Sequence, residues 1–269
     1  MALFNFIMKD IRDISPFGSL ESGFSLHWFG LTDSFYWLNV GEYEILRYSD
    51  MLINKYQDEF KLPYVDYQLS RFLEDFFEIL PSISTPIPDE IFQNIKTYSN
   101  MDAFRNDIND WLEYKWNEDD DDYDKIYLPA AQVLSDRRLD TGYLKGGPNI
   151  WFFRNNEKLL IRWDCENKNE DGTKFWSADK GEHIVSFQEF INEVIDFYNK
   201  FWDRMNEQVD IACNNWPLSD VGIDFNWLVN EHKLRKENWD SLVIRLSNDT
   251  LKENVDWRTV QDSICILRG

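Results

Sequence analysis

The chain has little cysteine, histidine or glycine, no long apolar run, and no excess of basic residues. Each shortage excludes something. Its three cysteines, Cys165, Cys213 and Cys265, are odd in number, widely spaced and form no CxxC pair. That argues against a disulfide framework and for a reducing cytoplasm. Its three histidines, His27, His183 and His232, stand apart from one another and from the cysteines. Glu231-His232 has no second histidine four residues on, so no zinc signature exists. Placing Gly172 at the sixth position of a calcium loop puts Asn167 first and Ala178 twelfth, where Asp and Glu are needed. Gly146-Gly147 is no GxGxxG, and neither a Walker sequence nor a GxSxG elbow occurs. No metal and no cofactor is expected. No apolar run approaches the roughly 18 residues of a membrane span. Met1 to Ile14 carries Lys9, Asp10, Arg12 and Asp13 and lacks the apolar core of a secretory signal. The sequon Asn248-Asp249-Thr250 is then a chance match.

What the chain has in quantity is acid and aromatic surface. Of 269 residues, 49 are Asp or Glu against 28 Lys or Arg, a formal net charge of −21. Such a field repels nucleic-acid phosphates and anionic membranes and attracts basic proteins. Hydrophobic residues at 43% can build a real core. Trp, Tyr and Phe make up 16%, and their large area suits both cores and interfaces.

Residues 1–24 read as an irregular lead-in with a turn at Pro16-Phe17-Gly18. From Ser25 to Tyr48 short aromatic and aliphatic runs are broken at Thr32-Asp33-Ser34 and Gly41-Glu42, a pattern that predicts a three-stranded antiparallel meander. A helical block follows over about 63–138, opened by Pro63 and closed in its first part by Pro81, Pro86 and Pro88. Further helices are expected over Asp89–Thr97, from Asn100 or Met101 to Lys115, and from Leu128 to Arg138. Hairpins are expected over about 143–185, with strands Asn149–Phe153 and Lys158–Trp163 around Asn155-Asn156-Glu157. Ser186 with Glu189 forms a capping box ahead of a long amphipathic helix. Asp224 caps another helix, and a last one covers Asp256 to Leu267. Strands, helices, strands, helices in that order predict an α+β fold, with antiparallel hairpins and a meander forming a sheet packed on several long helices. The two β blocks are expected to join, within a single domain over 1–269.

Two groups of residues invite a functional reading. The run Glu118, Asp119, Asp120, Asp121, Asp122, with Asp124 close by, is the densest charge in the chain. Like charges this close usually form a solvated loop. Beside Trp111, Trp116 and Tyr123 they also form a docking patch for Lys or Arg of a partner. The second group is Asp33, Asp66, Glu74, Asp75 and Asp140, carboxylates in aromatic surroundings where loss of water raises a pKa and makes a general acid. The alternative for Asp33 is a turn residue, and for Asp66 a residue of a helix's first turn. Most tryptophans fall on faces that a core claims.

Three segments taken together resemble an uncharacterised bacterial family known only as a domain of unknown function. They are Trp28-Phe29-Gly30-Leu31-Thr32-Asp33 with Tyr36-Trp37, then Pro63-Tyr64-Val65-Asp66-Tyr67 with Arg71, Glu74 and Asp75, then Gly142-Tyr143-Leu144 with Gly147-Pro148. The resemblance covers about Ile14 to the C-terminus, and Ser34 stands where the pattern has glycine, for a tight turn. It implies no catalytic residues. Acidic, aromatic-rich proteins of this kind look like immunity proteins of bacterial toxin systems, an analogy that makes a basic toxin effector domain the expected partner, bound in the cytoplasm. Two other readings stand beside it. One is a hydrolase with paired carboxylates at Asp33, Asp66 and Glu74, reversing a toxin's modification. The other is an acidic mimic of nucleic acid.

Overall fold

A computed structural model describes residues 2–19, 21, 23–116 and 120–269. In chain order the elements are β1 (Phe4–Met8), β2 (Phe17–Ser19), β3 (Gly23–Ser25), β4 (Asp33–Val40), β5 (Tyr43–Ile45), α1 (Asp50–Lys55) and β6 (Val65–Gln68). The helical block holds α2 (Leu69–Ser84), α3 (Asp89–Phe92), α4 (Tyr98–Asp110), the single turn α5 (Asp120–Asp122) and α6 (Leu128–Ser135). Then come β7 (Arg138–Leu139), β8 (Asn149–Asn155), β9 (Lys158–Asp164), β10 (Lys180–Ser186), α7 (Phe187–Asn214), β11 (Val221–Gly222), α8 (Phe225–Ser247) and α9 (Trp257–Arg268). The fold is α+β, with antiparallel sheets packed on several helices.

The lead-in is not irregular. Phe4, Phe6 and Met8 alternate with Asn5 and Ile7, the period of a half-buried strand, and β1 pairs antiparallel with β4 from Phe4↔Leu38 to Met8↔Ser34. The other edge of β4 takes β6 along Asp33–Tyr36 and β5 along Leu38–Val40. The expected meander is therefore one hairpin, β4–β5, since Gly30–Thr32 coils into a 3-10 turn ahead of β4. Pro63 and Asp66 are likewise not helical: Val65–Gln68 is strand, and α2 starts only at Leu69. Helix α2 also runs past Pro81, whose carbonyl still accepts from the Thr85 amide at 3.1 Å. Ser34 lies in extended β4 rather than in a turn, so its departure from glycine costs no strain.

The two β blocks do not join. Strands β10-β9-β8-β7 form a second antiparallel sheet, which meets the first block at an isolated bridge, Tyr48↔Trp176. A small third sheet pairs β2 with β3 antiparallel and β3 with β11 in parallel. Strand β10, with mostly exposed residues, closes the expected hairpin block and pairs β9 along its whole length.

The β8–β9 hairpin of the second sheet is buried on both faces. Ile150, Phe152, Leu159, Ile161 and Trp163 face a large core with β1, β4, α2 and α7. Trp151, Phe153 and Leu160, which alternate with them, face a second cluster supplied by α4, α6 and α9. That double burial explains the nearly continuous apolar runs of β8 and β9. Helix α7 carries the predicted capping box, Ser186 Oγ accepting from the Glu189 amide at 3.1 Å and Glu189 accepting from Ser186 N–H at 3.0 Å.

Two arginines inside this sheet hold the layers together. Arg162, fully buried, donates to Ile95 O at 2.8 Å and Lys96 O at 3.1 Å, and pairs with Glu182 at 2.6 Å. Arg154 donates to Ser84 O at 2.6 Å and Asp249 at 2.8 Å, and its guanidinium lies 3.7 Å from the Phe187 ring centroid. On the opposite side, Trp28 is wholly buried among Phe201, Trp202 and Trp239, and its indole N–H donates to His232 Nδ1 at 3.1 Å. Truncating Arg162 strands two carbonyls and one carboxylate. Arg162→Ala is expected to cost about 3–5 kcal/mol, read as the shift in a urea unfolding curve. Glu182→Gln should cost less, because the carbonyls and the Tyr98 ring still hold the guanidinium.

Candidate functional site

The three carboxylates proposed as a paired site fall into two separate arrangements. Asp33, at the start of β4, and Asp66, in β6, lie on the same face of the first sheet because Phe35 pairs Asp66 and Gln68 pairs Asp33. Lys9, just past β1, projects onto that face and bridges both carboxylates, reaching Asp33 at 3.0 Å and Asp66 in an equally direct contact. Burial lowers the Lys9 pKa, but its hydrogen bonds to Asp66 and Asp33 outweigh that and leave it raised. Burial raises Asp33, partly offset by Lys9. Glu74 sits elsewhere, on α2, ion-paired with Arg235 of α8, which also holds Glu231 at 2.9 Å and lies 4.4 Å from the Trp28 ring centroid.

A different cluster joins all three motif segments. Tyr36 of β4 and Tyr143, from the loop after β7, share a hydrogen bond of 3.0 Å between their hydroxyls. The Tyr67 ring of β6 packs 5.1 Å from that of Tyr143. Arg71 on α2 pairs with Asp75 at 2.8 Å, one helical turn on, and with Asp140 at 3.5 Å, and lies 5.5 Å from the Tyr143 ring centroid. The loop that presents Tyr143 is fixed by its glycines. Gly146 has φ +65° and a side chain there collides with Phe175, while one at Gly147 meets Thr141 O. Burial raises the Asp75 carboxyl to about 6, with Arg71 pulling the other way. Burial also raises both tyrosines. A carboxyl of that pKa, beside a guanidinium and two hydroxyls, can donate or accept a proton near neutral pH.

The acidic run lies on a third surface. Helix α4 passes at Trp111 into a π-helical stretch through Lys115, and a second π-helical stretch, Tyr123–Tyr127, leads into α6. Glu118 and Asp119 lie outside the described residues. Asp120, Asp121 and Asp124 are exposed and Asp122 is half-buried. Asp121 pairs with Lys125 at 2.8 Å. Beside them the rings of Trp116 and Tyr123 lie 5.7 Å apart, Tyr123 stacks on Tyr127 at 4.7 Å, and Tyr127 on Trp111 at 6.5 Å. This acidic, aromatic turn is seated on α9, where Ser263 donates to Ile126 O and Lys115 to Leu267 O at 3.4 Å.

Among the described residues no three His, Cys, Asp or Glu side chains are placed to hold a metal ion, and no helix is long and apolar enough to cross a membrane. Lys9, Arg235 and Asp140 complete these arrangements. Of the two basic residues, Lys9 was hidden by the misread lead-in, and Arg235 lies about 160 positions from Glu74.

Residues 3–263 match the model of a family described as a family of unknown function (DUF5984), and the chain belongs to that family. No curated protein and no solved structure matches it.

Asp75 gives a pH signature. Its folded pKa, about 6, lies above the ordinary 3.8. Stability from this group is therefore fully present below about 3.8 and is lost as pH rises through about 6. The difference in urea midpoint between the parent chain and Asp75→Asn is expected to change across that window and to level off above it. A flat difference from pH 4 to 7 contradicts the raised carboxyl.

Proposed function

We propose that this member of the family works by binding a basic protein, and that the partner is a toxin effector domain which it neutralises in the cytoplasm. The observation that carries this reading is the exposed carboxylates of Asp120, Asp121 and Asp124, with half-buried Asp122 among them, set beside the clustered rings of Trp116, Tyr123 and Tyr127. Carboxylates steer a cationic surface and aromatic rings anchor it once it arrives. The charge balance supports it. With 49 acids and 28 bases, 49 − 28 = 21 carboxylates have no cation even if every base neutralises one.

A second reading, a hydrolase using carboxylates, is favoured by one observation, the Asp75 carboxyl raised to about 6 beside Arg71, Asp140 and Tyr143. The two readings separate by stoichiometry. A binder protects only at amounts matching its toxin, whereas an enzyme protects at catalytic amounts and loses that with Asp75→Asn.

The leading reading is tested with the basic toxin domain encoded beside the gene. Surface plasmon resonance is expected to show tight binding whose on-rate falls at least about tenfold from low salt to 0.15 M ionic strength. Replacing Asp120, Asp121, Asp122 and Asp124 by Asn should slow association more than dissociation. Absence of a neighbouring toxin, or failure to protect cells from it, sinks the reading.

A further inference from the structure

One buried cation in this acidic chain has no anionic partner in contact. Arg137, 3% exposed, follows α6, and its Nε and Nη2 have no hydrogen-bond partner among the described residues. These two atoms form the edge with which a guanidinium grips an acceptor in two places. Arg162, in the same fold, uses that edge on Glu182. Leaving a buried donor without an acceptor is costly, so such a group asks what it is kept for.

Arg137 lines a cavity of about 520 Å3 between one side of α6 and the segment that leads into α9. That volume lies within the range of ligand pockets. Its walls also carry Asp136, Glu253, Asp256 and Trp257, whose ring centroid lies 5.6 Å from the guanidinium carbon. Each carboxylate has a hydrogen-bond donor other than Arg137, although Glu253 and Asp136 lie near enough to act on its charge. Asp136 accepts from Ser135 at 2.8 Å, Glu253 from Ser82 at 2.6 Å, and Asp256 caps α9 through the Arg258 and Thr259 amides.

The charges choose the ligand. Three carboxylates and one guanidinium on the walls, in a chain of net charge −21, repel a free oxyanion. A neutral carbonyl satisfies Arg137 without adding negative charge, and cations beside it are drawn to the rim. An extended basic peptide supplies both, a carbonyl at every residue and ammonium or guanidinium groups between them. Position agrees with chemistry. Helix α9 starts at this cavity and ends under the acidic turn, where Leu267 O accepts from Lys115. Twelve helical residues span about 18 Å, the reach of about five or six extended residues.

We propose that this cavity anchors an extended basic segment of the partner, a backbone carbonyl taking Arg137 while lysine or arginine side chains meet Asp136, Glu253 and Asp256. The proposal rests on the basic-partner reading and names where on that face the partner is held. Binding on these terms requires Trp257, half-buried at the wall, to swing off the guanidinium edge that it covers.

The experiment titrates the full chain with a labelled tetralysine peptide blocked at both ends, followed by fluorescence anisotropy. Arg137→Met and Arg137→Lys are each expected to weaken binding at least tenfold with unchanged salt dependence. The lysine variant keeps the charge and loses the two-point edge, so it decides the question even if the methionine variant folds poorly. Arg137→Met should unfold at no lower urea concentration than the parent, since an unpartnered buried cation is removed. Equal peptide affinity in both variants, or no tetralysine binding to the parent chain, overturns the proposal. Sodium acetate or phosphate binding to the parent and not to Arg137→Lys also overturns it, in favour of an oxyanion site. The wider reading fails separately, when the Asp120–Asp124 substitutions leave the toxin's on-rate unchanged.

Discussion

The burial of one hairpin, β8–β9, on both faces is the constraint from which the rest of the structure follows. A sheet whose alternate residues are Phe152, Ile161 and Trp163 on one side and Trp151, Phe153 and Leu160 on the other needs two covering layers. On one side α2, α7 and the first sheet supply the cover, and on the other α4, α6 and α9 do. Aromatic side chains dominate because they cover the most area per residue. This is where much of the chain's tryptophan goes.

Basic residues are drawn into the same construction. Arg162 is fully buried, Arg154 nearly so, and Lys9 and Arg235 are mostly covered. Each ties distant segments together through carbonyls or carboxylates. Cations that serve as internal clamps are withdrawn from the surface. Their carboxylate partners are drawn in with them, so the net charge of −21 that sets the long-range field is unchanged.

Much of this was legible in the sequence, and what was not has physical causes. The Ser186 capping box, the hairpin at Asn156 and the cap at Asp224 are local signals that the structure bears out, and the last helix starts one residue past its expected start, with Asp256 as its cap. Strand β1 was missed although Phe4, Phe6 and Met8 alternate, because five residues with a short polar flank carry little signal without their partner β4. Pro63 and the periodic residues after Leu69 run together as a helical pattern, and pairing with β4 overrides propensity at β6. The desolvation of Asp75 followed from its aromatic neighbours in sequence. The Arg71–Asp140 pair beside it and the Tyr36–Tyr143 contact depend on chain closure over about 70 to 107 positions.

The motif segments themselves report the fold more than its use. Trp28 and Leu31 are wholly buried, Thr32 bonds Ser70 at 2.9 Å, Val65 is buried in the sheet, and Gly147 leaves no room for a side chain beside Thr141. The acidic turn and the Arg137 cavity lie instead on the α6 and α9 layer, outside all three segments. Substitutions on that surface leave the buried hairpin and its clamps in place, so the fold and the chemistry of that face are separable.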